Sequence, residues 1–306
     1  MLDDYQNIAL KMADWSSIPG HPEIKVFNDH VAELERLAQR LLPFDVLCIM
    51  RERTPMTAAL LDRLPNLKLI ASTGPRNAVI DLEATKRRGI QVRHTGYHEA
   101  PTIEFTWALI LALARNITVE NASLRHGGWQ TAVGADLHDQ TLGVVGLGNI
   151  GSRVAAIGRA FGMKVLAWSH NLTQEKAEAS GARLVSKDEL FREADFLTIH
   201  LVLSARSRGT VGRPKLGLMK PAAFLINTAR GPIVDESALL EALSDQKIAG
   251  AALDVFAQEP LPAEHPFRHL PNVLATPHLG YGSRSLYERF YQDTVTNIKA
   301  WISEAG

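Results

Sequence analysis

The chain has 306 residues, 46% hydrophobic and 22% charged, and its 33 basic and 33 acidic side chains cancel to a formal net charge of zero. That length favours two domains with a sizeable core. The balanced charge gives no electrostatic ground for binding along a nucleic-acid backbone or an anionic membrane. A single cysteine, Cys48, excludes an intramolecular disulfide framework and any zinc site built on several thiolates. It lies in the apolar run 46–50, where it reads as a small buried hydrophobe. No stretch reaches the roughly 18 apolar residues of a membrane span. The acidic, polar start at residues 1–6 lacks the parts of a signal peptide, so the expected location is cytoplasmic.

Residues 23–27 and 45–50 read as strands with an amphipathic helix over 31–42 between them. A further strand at 67–71 leads into the turn-like Ser72-Thr73-Gly74-Pro75-Arg76-Asn77. A helix then ends at Gly89, its basic triplet Lys86-Arg87-Arg88 reading as a solvated end, before a short strand at 90–92. This alternation of strand and helix predicts a parallel α/β sheet. After Pro101 comes a helix that is apolar nearly all round, from Phe105 to Leu113, and it is expected to be buried on more than one side. Residues 116–138 are more polar, and Gly127-Gly128-Trp129 marks an irregular crossing; Trp129, Trp168 and Trp301 read as packing residues. From Thr141 the pattern is regular: strand 141–145, a glycine turn, an Ala-rich helix to Phe161, and strand 164–168. Strands follow at 196–200, 223–227, 250–255 and 272–275, and a last helix at 283–302.

The glycine turn is Gly146-Leu147-Gly148-Asn149-Ile150-Gly151. The bare spacing is weak, but here it follows a hydrophobic strand and opens a helix. In that setting the first glycine permits the turn, the second lets the backbone approach a pyrophosphate, and the third lets helix pack on strand. The helix N-terminus favours the negative charge, so a ligand-free glycine turn is the weaker reading. A dinucleotide site usually has an acidic residue at the end of the second strand, which holds the ribose hydroxyls. Here, 18 residues past Gly151, stand Ser169, His170 and Asn171, with neither carboxylate nor arginine among them. The cofactor is NAD or NADP, and the sequence leaves the choice open.

In a doubly wound sheet, ligands bind beyond the carboxyl ends of the strands. Three consecutive predicted strands end in Thr228-Ala229-Arg230, Gln258-Glu259-Pro260 and Thr276-Pro277-His278. Singly, each has a plain structural explanation: a surface salt bridge for Arg230, a turn carboxylate for Glu259, a strand cap for His278. Together beside a nicotinamide they suit hydride transfer at a carbon bearing a hydroxyl. Arg230 would bind a carboxylate through its fork, and His278 would carry the hydroxyl proton. Glu259, if it touches the imidazole, would stabilise the protonated form.

These motifs, with Met219-Lys220-Pro221, Ala252-Leu253-Asp254-Val255-Phe256 and Glu259-Pro260-Leu261-Pro262, occur in one order along the chain. In that order the chain resembles the D-isomer-specific 2-hydroxyacid dehydrogenase family over nearly its whole length. The resemblance implies two doubly wound parallel α/β domains with a cleft between them. One is a flavodoxin-like substrate domain of residues 1–100 plus 281–306, and the other a Rossmann dinucleotide-binding domain of residues 101–280. It implies that Arg230, Glu259 and His278 are catalytic, that Thr228 and Asp254 lie near the nicotinamide, and that His200 and Leu201 lie along the cofactor. Thr106, Ala229 and Gly280 are expected on the cofactor on the same ground. Ser72-Thr73-Gly74 resembles the family's backbone cradle for the substrate carboxylate. Arg76 beside it stays open between a charge for a second anionic group and a surface residue.

The implied substrate is a small D-2-hydroxy acid or its 2-keto acid, and the implied assembly is a homodimer through an arm of the dinucleotide domain. No nucleic-acid or membrane partner is expected. Nor is a metal: Gly96 interrupts His94-x-x-x-His98, and Pro266 lies between His265 and His269. The competing function is a dinucleotide-sensing, corepressor-like protein with little turnover. The chain departs from the family pattern at Ser169 and at Leu201-Val202-Leu203-Ser204, which lacks a common proline. It also starts about where the family's first strand should be ending, so that strand is expected to be incomplete, and its length leaves no room for an extra regulatory domain.

Overall fold

The computed structural model describes residues 1–305, which fall into two compact units. The first comprises Met1–His98 and the chain from Gly282 onward; the second is Glu99–Tyr281. In the first unit, α1 (Leu34–Leu41), α2 (Ala58–Leu61) and α3 (Leu82–Arg87) alternate with β1 (Val46–Ile49), β2 (Leu69–Ser72) and β3 (Gln91–His94). The three strands form a parallel sheet in the order β1-β2-β3. Each helix starts where a side-chain oxygen satisfies its otherwise unpaired first N–H groups: Glu33 for α1, Thr57 for α2, Asp81 for α3. Leu47, Ile49, Leu60, Leu61 and Ile70 make the centre of one apolar cluster. Cys48, on β1, is half-buried rather than fully enclosed, and desolvation raises its thiol pKa.

The strand expected at 23–27 is not formed as a ladder. Instead Phe27 donates to the Met1 carbonyl, Asp4 to Phe27 and Leu2 to Cys48, so residues 1–4 lie beside β1 and the segment at 25–27 lies beside them. Asp3 sits in the left-handed region at φ 56°, which interrupts regular pairing at that point.

The second unit opens with α4 (Ala100–Ala114), which buries Ile103, Thr106, Trp107, Leu109 and Ile110, as its all-round apolar sequence predicts. Next comes α5 (Ile117–Arg125), in the stretch that the sequence marks only as more polar. It buries none of its residues, so its apolar side chains carry no periodic signal toward this chain's own core. Trp129, expected to pack, is 78% exposed.

The chain then runs through β4 (Thr141–Val145), α6 (Asn149–Ala160), β5 (Lys164–Trp168), α7 (Gln174–Ala179), β6 (Arg183–Leu184), α8 (Lys187–Glu193) and β7 (Phe196–Ile199). It continues through α9 (Arg213–Leu216), β8 (Phe224–Asn227), α10 (Glu236–Ser244), β9 (Gly250–Leu253) and β10 (Val273–Ala275). All pairings in this seven-stranded sheet are parallel, in the order β10-β9-β8-β7-β4-β5-β6. Only the two-residue β6 was absent from the sequence reading, being too short to show a pattern. Apolar clusters cover both faces. One centres on Leu190, Phe191, Leu225 and Leu239, the other on Trp107, Leu142, Val144 and Phe196. A wholly buried side chain of this size stabilises by about 1.5–3 kcal/mol.

The chain returns to the first unit as α11 (Arg284–Ala305), which buries Leu286, Tyr287, Phe290 and Tyr291. Asp293 accepts the Gly96 N–H at 2.7 Å and Asn297 donates to the His94 carbonyl at 3.0 Å, fastening α11 beside the end of β3.

Candidate active site

The order of the larger sheet reverses between β4 and β7: the chain moves from β4 to β5 and β6 on one side, then returns to β7 and works outward. Ligands of open parallel sheets bind at such a switch point. Gly146 ends β4 there at φ 102°, and a Cβ on it would lie 2.8 Å from the His200 carbonyl carbon after β7. A Cβ on Gly151 would lie 2.0 Å from the Gly146 oxygen, so α6 approaches its strand as closely as backbone allows. Gly148 is different. It is exposed, a Cβ there would meet nothing within 4 Å, and no side chain caps the first turn of α6. Open space over uncapped helix N–H groups, with Asn149 and Ile150 in that first turn, fits a pyrophosphate.

His200 keeps its ring against Thr198, with Nε2 and Oγ1 2.9 Å apart, and desolvation pushes its pKa down to about 3. It is a neutral wall residue, with half-buried Leu201 next to it. At the end of β5, Ser169 is half-buried while His170 and Asn171 are exposed.

At the ends of β8, β9 and β10 the polar groups interlock. The Asn227 side chain accepts from the Ala229 N–H and donates to the Arg230 carbonyl, which shapes the turn carrying Arg230. Gly231 follows, where a Cβ would lie 2.0 Å from the Phe256 carbonyl carbon, so this turn presses on the chain beyond β9. Glu259 uses both oxygens: Oε1 accepts the Phe256 N–H at 2.9 Å and Oε2 meets His278 Nδ1 at 2.6 Å. His278 itself sits in the left-handed region at φ 53°.

Asp254 is 1% exposed and accepts the Thr276 hydroxyl at 2.7 Å, the Leu279 N–H at 2.8 Å and the Gly280 N–H at 2.7 Å. It therefore grips the segment around His278 from both sides. A Cβ on Gly280 would lie 2.9 Å from the Asp254 carboxylate, so glycine keeps that grip possible.

The two carboxylates titrate in opposite directions. Burial pushes Glu259 up, but the hydrogen bond and charge of His278, the Phe256 N–H and the charge of Arg230 together hold it below the ordinary carboxylate range. For Asp254 burial prevails over its Thr276, Leu279 and Gly280 donors and the charge of His278, and its pKa is raised. Groups pushed apart in this way mark sites of acid–base work.

The structure thus brings Arg230, Glu259 and His278 together at one end of the sheet. Three residues expected at the cofactor are held by hydrogen bonds within the protein. Thr106 is fully buried, its hydroxyl donating to the Thr102 carbonyl and meeting the Thr228 hydroxyl at 2.8 Å, so it positions Thr228. Asp254 and buried Gly280 spend their polar groups on each other. The reason is the same in each case: a buried polar group is satisfied within the protein.

The loop expected to cradle a substrate carboxylate, in the first unit, is also more occupied than its sequence suggests. Thr73 donates its N–H to the Ile49 carbonyl and Gly74 donates to the Thr95 hydroxyl at 2.7 Å. Ser72 is wholly buried and its hydroxyl receives the Asn77 amide. Those two N–H groups thus have partners within the chain. Sequence reasoning missed Arg51. Its backbone N–H donates to the Thr73 hydroxyl at 2.8 Å, and its guanidinium covers the space where a Gly74 Cβ would project. Two parallel strand ends bring residues 51 and 74 together, and only the run Arg51-Glu52-Arg53 hinted at charge there. Arg76 is exposed with no ion-pair partner among the described residues.

Fold and site define a dinucleotide-binding α/β protein with a histidine–carboxylate pair and an arginine at adjoining strand ends. The family model described as "D-isomer specific 2-hydroxyacid dehydrogenase, NAD binding domain" matches residues 107–280. Glyoxylate reductase of Aeropyrum pernix is 40% identical over 79% of this chain and 75% of its own length. D-3-phosphoglycerate dehydrogenase of Methanocaldococcus jannaschii is 40% identical over 80% of this chain, which spans 47% of that longer protein. The crystal structure of a phosphoglycerate oxidoreductase from Vibrio cholerae O395 superimposes with a TM-score of 0.94 at 38% identity, covering 99% of this chain and 98% of that one. The chain belongs to the D-isomer-specific 2-hydroxyacid dehydrogenase family, whose members carry out NAD-dependent oxidoreduction of 2-hydroxy acids.

Proposed function

We propose that this chain interconverts a small D-2-hydroxy acid and its 2-keto acid, with His278 as general acid and base. The observation that carries the reading is the 2.6 Å pairing of His278 with Glu259, under the charge of Arg230, on the sheet that bears the glycine turn. Gly146, Gly148, Asn149, Ile150 and Gly151 would hold the pyrophosphate, with His200, Leu201, Thr228 and Ala229 along the rest of the cofactor. The dinucleotide, when bound, supplies or accepts the hydride. Glu259 occupies Nδ1 of His278, so Nε2 is the nitrogen that delivers a proton to the substrate oxygen or removes it. An ionised Glu259 fixes the ring and offsets the positive charge while the proton is held. Arg230 takes the substrate carboxylate in its fork and polarises the neighbouring carbonyl. In the first unit, Arg51 over Gly74 is the cation which that loop offers to an anionic group.

The test is coenzyme absorbance with glyoxylate, hydroxypyruvate and pyruvate, each with NADH and with NADPH. Oxidation of coenzyme by at least one acid is expected. Dinucleotide binding with no turnover on any acid would sink the reading and restore the sensing alternative, which no observation favours. Cytoplasmic location is part of the same proposal; among the described residues no single helix is long and apolar enough to cross a membrane.

The proposal includes a homodimer through α5 and the segment after it. Ile117, Leu124, Trp129 and Val133 are 53%, 58%, 78% and 98% exposed there. Glu120 folds that segment back onto α5 by accepting from the Thr131 hydroxyl and from the Thr131 and Ala132 N–H groups. An ordered apolar face of this kind suits a second copy of the chain. Light scattering is expected to show a dimer, and a monomer when Trp129→Glu and Val133→Asp are combined. A monomeric wild type would refute the assembly.

A further inference from the structure

The end of β5 lacks the carboxylate that would accept ribose hydroxyls and repel a 2′-phosphate: Ser169, His170, Asn171, Leu172 and Thr173 are all uncharged or basic. The folded chain adds a cation that this stretch does not encode. Arg206, on the turn after β7 and 35 positions away in sequence, brings Nη2 to 3.5 Å from Asn171 Oδ1. That neutral amide oxygen is its side-chain partner, and no carboxylate among the described residues pairs with it.

The turn bearing Arg206 is held in place. Ser207 is 3% exposed; its hydroxyl donates to the Val202 carbonyl at 2.7 Å and accepts the Ser204 N–H at 2.8 Å. The Thr210 hydroxyl donates to the Arg206 carbonyl at 3.3 Å and the Arg208 N–H donates to the Ser204 carbonyl at 3.0 Å. Lys187 reinforces the positive character of this corner, its Nζ lying 5.1 Å from the Trp168 ring centre while donating to the Thr210 carbonyl. On the same turn Val202 is 84% exposed, an apolar surface next to the charge.

A guanidinium matches phosphate through two parallel donors, and one near the end of the second strand accommodates a 2′-phosphate. Resting on the oxidoreductase reading above, we propose that Arg206 is a specificity-determining residue: it accepts the adenosine 2′-phosphate, with Ser169 leaving room for it, and NADP(H) is the preferred coenzyme.

The experiment titrates the full chain with NADPH and NADH by nicotinamide fluorescence, and with adenosine 2′,5′-bisphosphate and AMP by calorimetry, without any substrate. NADPH is expected to bind about tenfold or more tightly than NADH, with the gap narrowing as salt is raised. Arg206→Ala is expected to lower NADPH and bisphosphate affinity by about tenfold or more while NADH and AMP affinities stay put, which also shows that the variant is folded. Arg206→Lys should fall between, keeping the charge and losing the fork. Equal binding of the two coenzymes by the wild type, or an unchanged ratio in Arg206→Ala, overturns the assignment and leaves the oxidoreductase reading standing. Failure to bind either coenzyme overturns both.

Discussion

The carboxyl ends of β8, β9 and β10 and the carboxyl end of β5 belong to one sheet, yet they are built in opposite ways. At the first, Asp254 and Glu259 tie down Thr276, His278, Leu279 and Gly280 through short hydrogen bonds. At the second, exposed Asn171 and Arg206 meet at 3.5 Å, and no carboxylate among the described residues pairs with that guanidinium. Proton transfer requires a group held to within a fraction of an ångström, which takes partners fixed by several short hydrogen bonds. Recognition of a charge at the far end of a cofactor requires only that the right sign be within reach. The difference predicts where substitutions cost catalysis or stability, and where they change only coenzyme choice.

The largest expected effect is from His278→Ala, which should lower kcat by about 10²- to 10⁴-fold. Coenzyme affinity by fluorescence titration should be nearly unchanged. A variant that keeps wild-type turnover would reduce the contrast between the two sheet ends to one of packing.

Asp254→Asn comes next. The amide turns one acceptor into a donor facing the Thr276, Leu279 and Gly280 donors, so thermal unfolding should show a loss of about 1–3 kcal/mol. Turnover should fall with it, because the segment carrying His278 loses its anchor. An unchanged melting temperature would show that this carboxylate does not hold the loop.

Glu259 sharpens the comparison through pH. Its folded pKa is held below the ordinary value, so its contribution to stability is present above the ordinary carboxylate range and is lost as the pH falls through the lowered value. Asp254, raised by burial, has the opposite sign: its contribution is present at low pH and lost as the pH rises through its folded value. Denaturant titrations of wild type and Glu259→Gln should differ most near neutral pH and converge in acid. A gap that widens in acid would contradict the sign.

The smallest effect on stability is expected at the other corner. Ser169→Asp should change unfolding free energy by no more than about 0.5 kcal/mol, while shifting relative affinity from NADPH toward NADH. A large stability loss there would erase the distinction between a wired corner and an adjustable one.

Much of the architecture is local and so was legible. The strand at 141–145, the glycine turn and the strand at 164–168 fall where apolar runs and turn residues place them, because each depends on neighbours a few positions apart. The convergence of Arg230, Glu259 and His278 was legible at one remove, since consecutive βα units put successive strand ends side by side. The outward-facing α5 was missed because its apolar residues serve no core in this chain. The extended segments at 1–4 and 25–27 escaped regular pairing through one left-handed aspartate.

By itself, then, the sequence determined the parallel α/β class, the dinucleotide turn and the residue types available for chemistry, because these follow from periodicity and from side-chain identity. Tertiary structure alone decided that Asp254 is spent inside the protein, that Arg51 lies over Gly74 and that Arg206 reaches the end of β5. Those contacts join residues 22 to 35 positions apart, and no short-range pattern encodes which distant groups a folded sheet will set side by side.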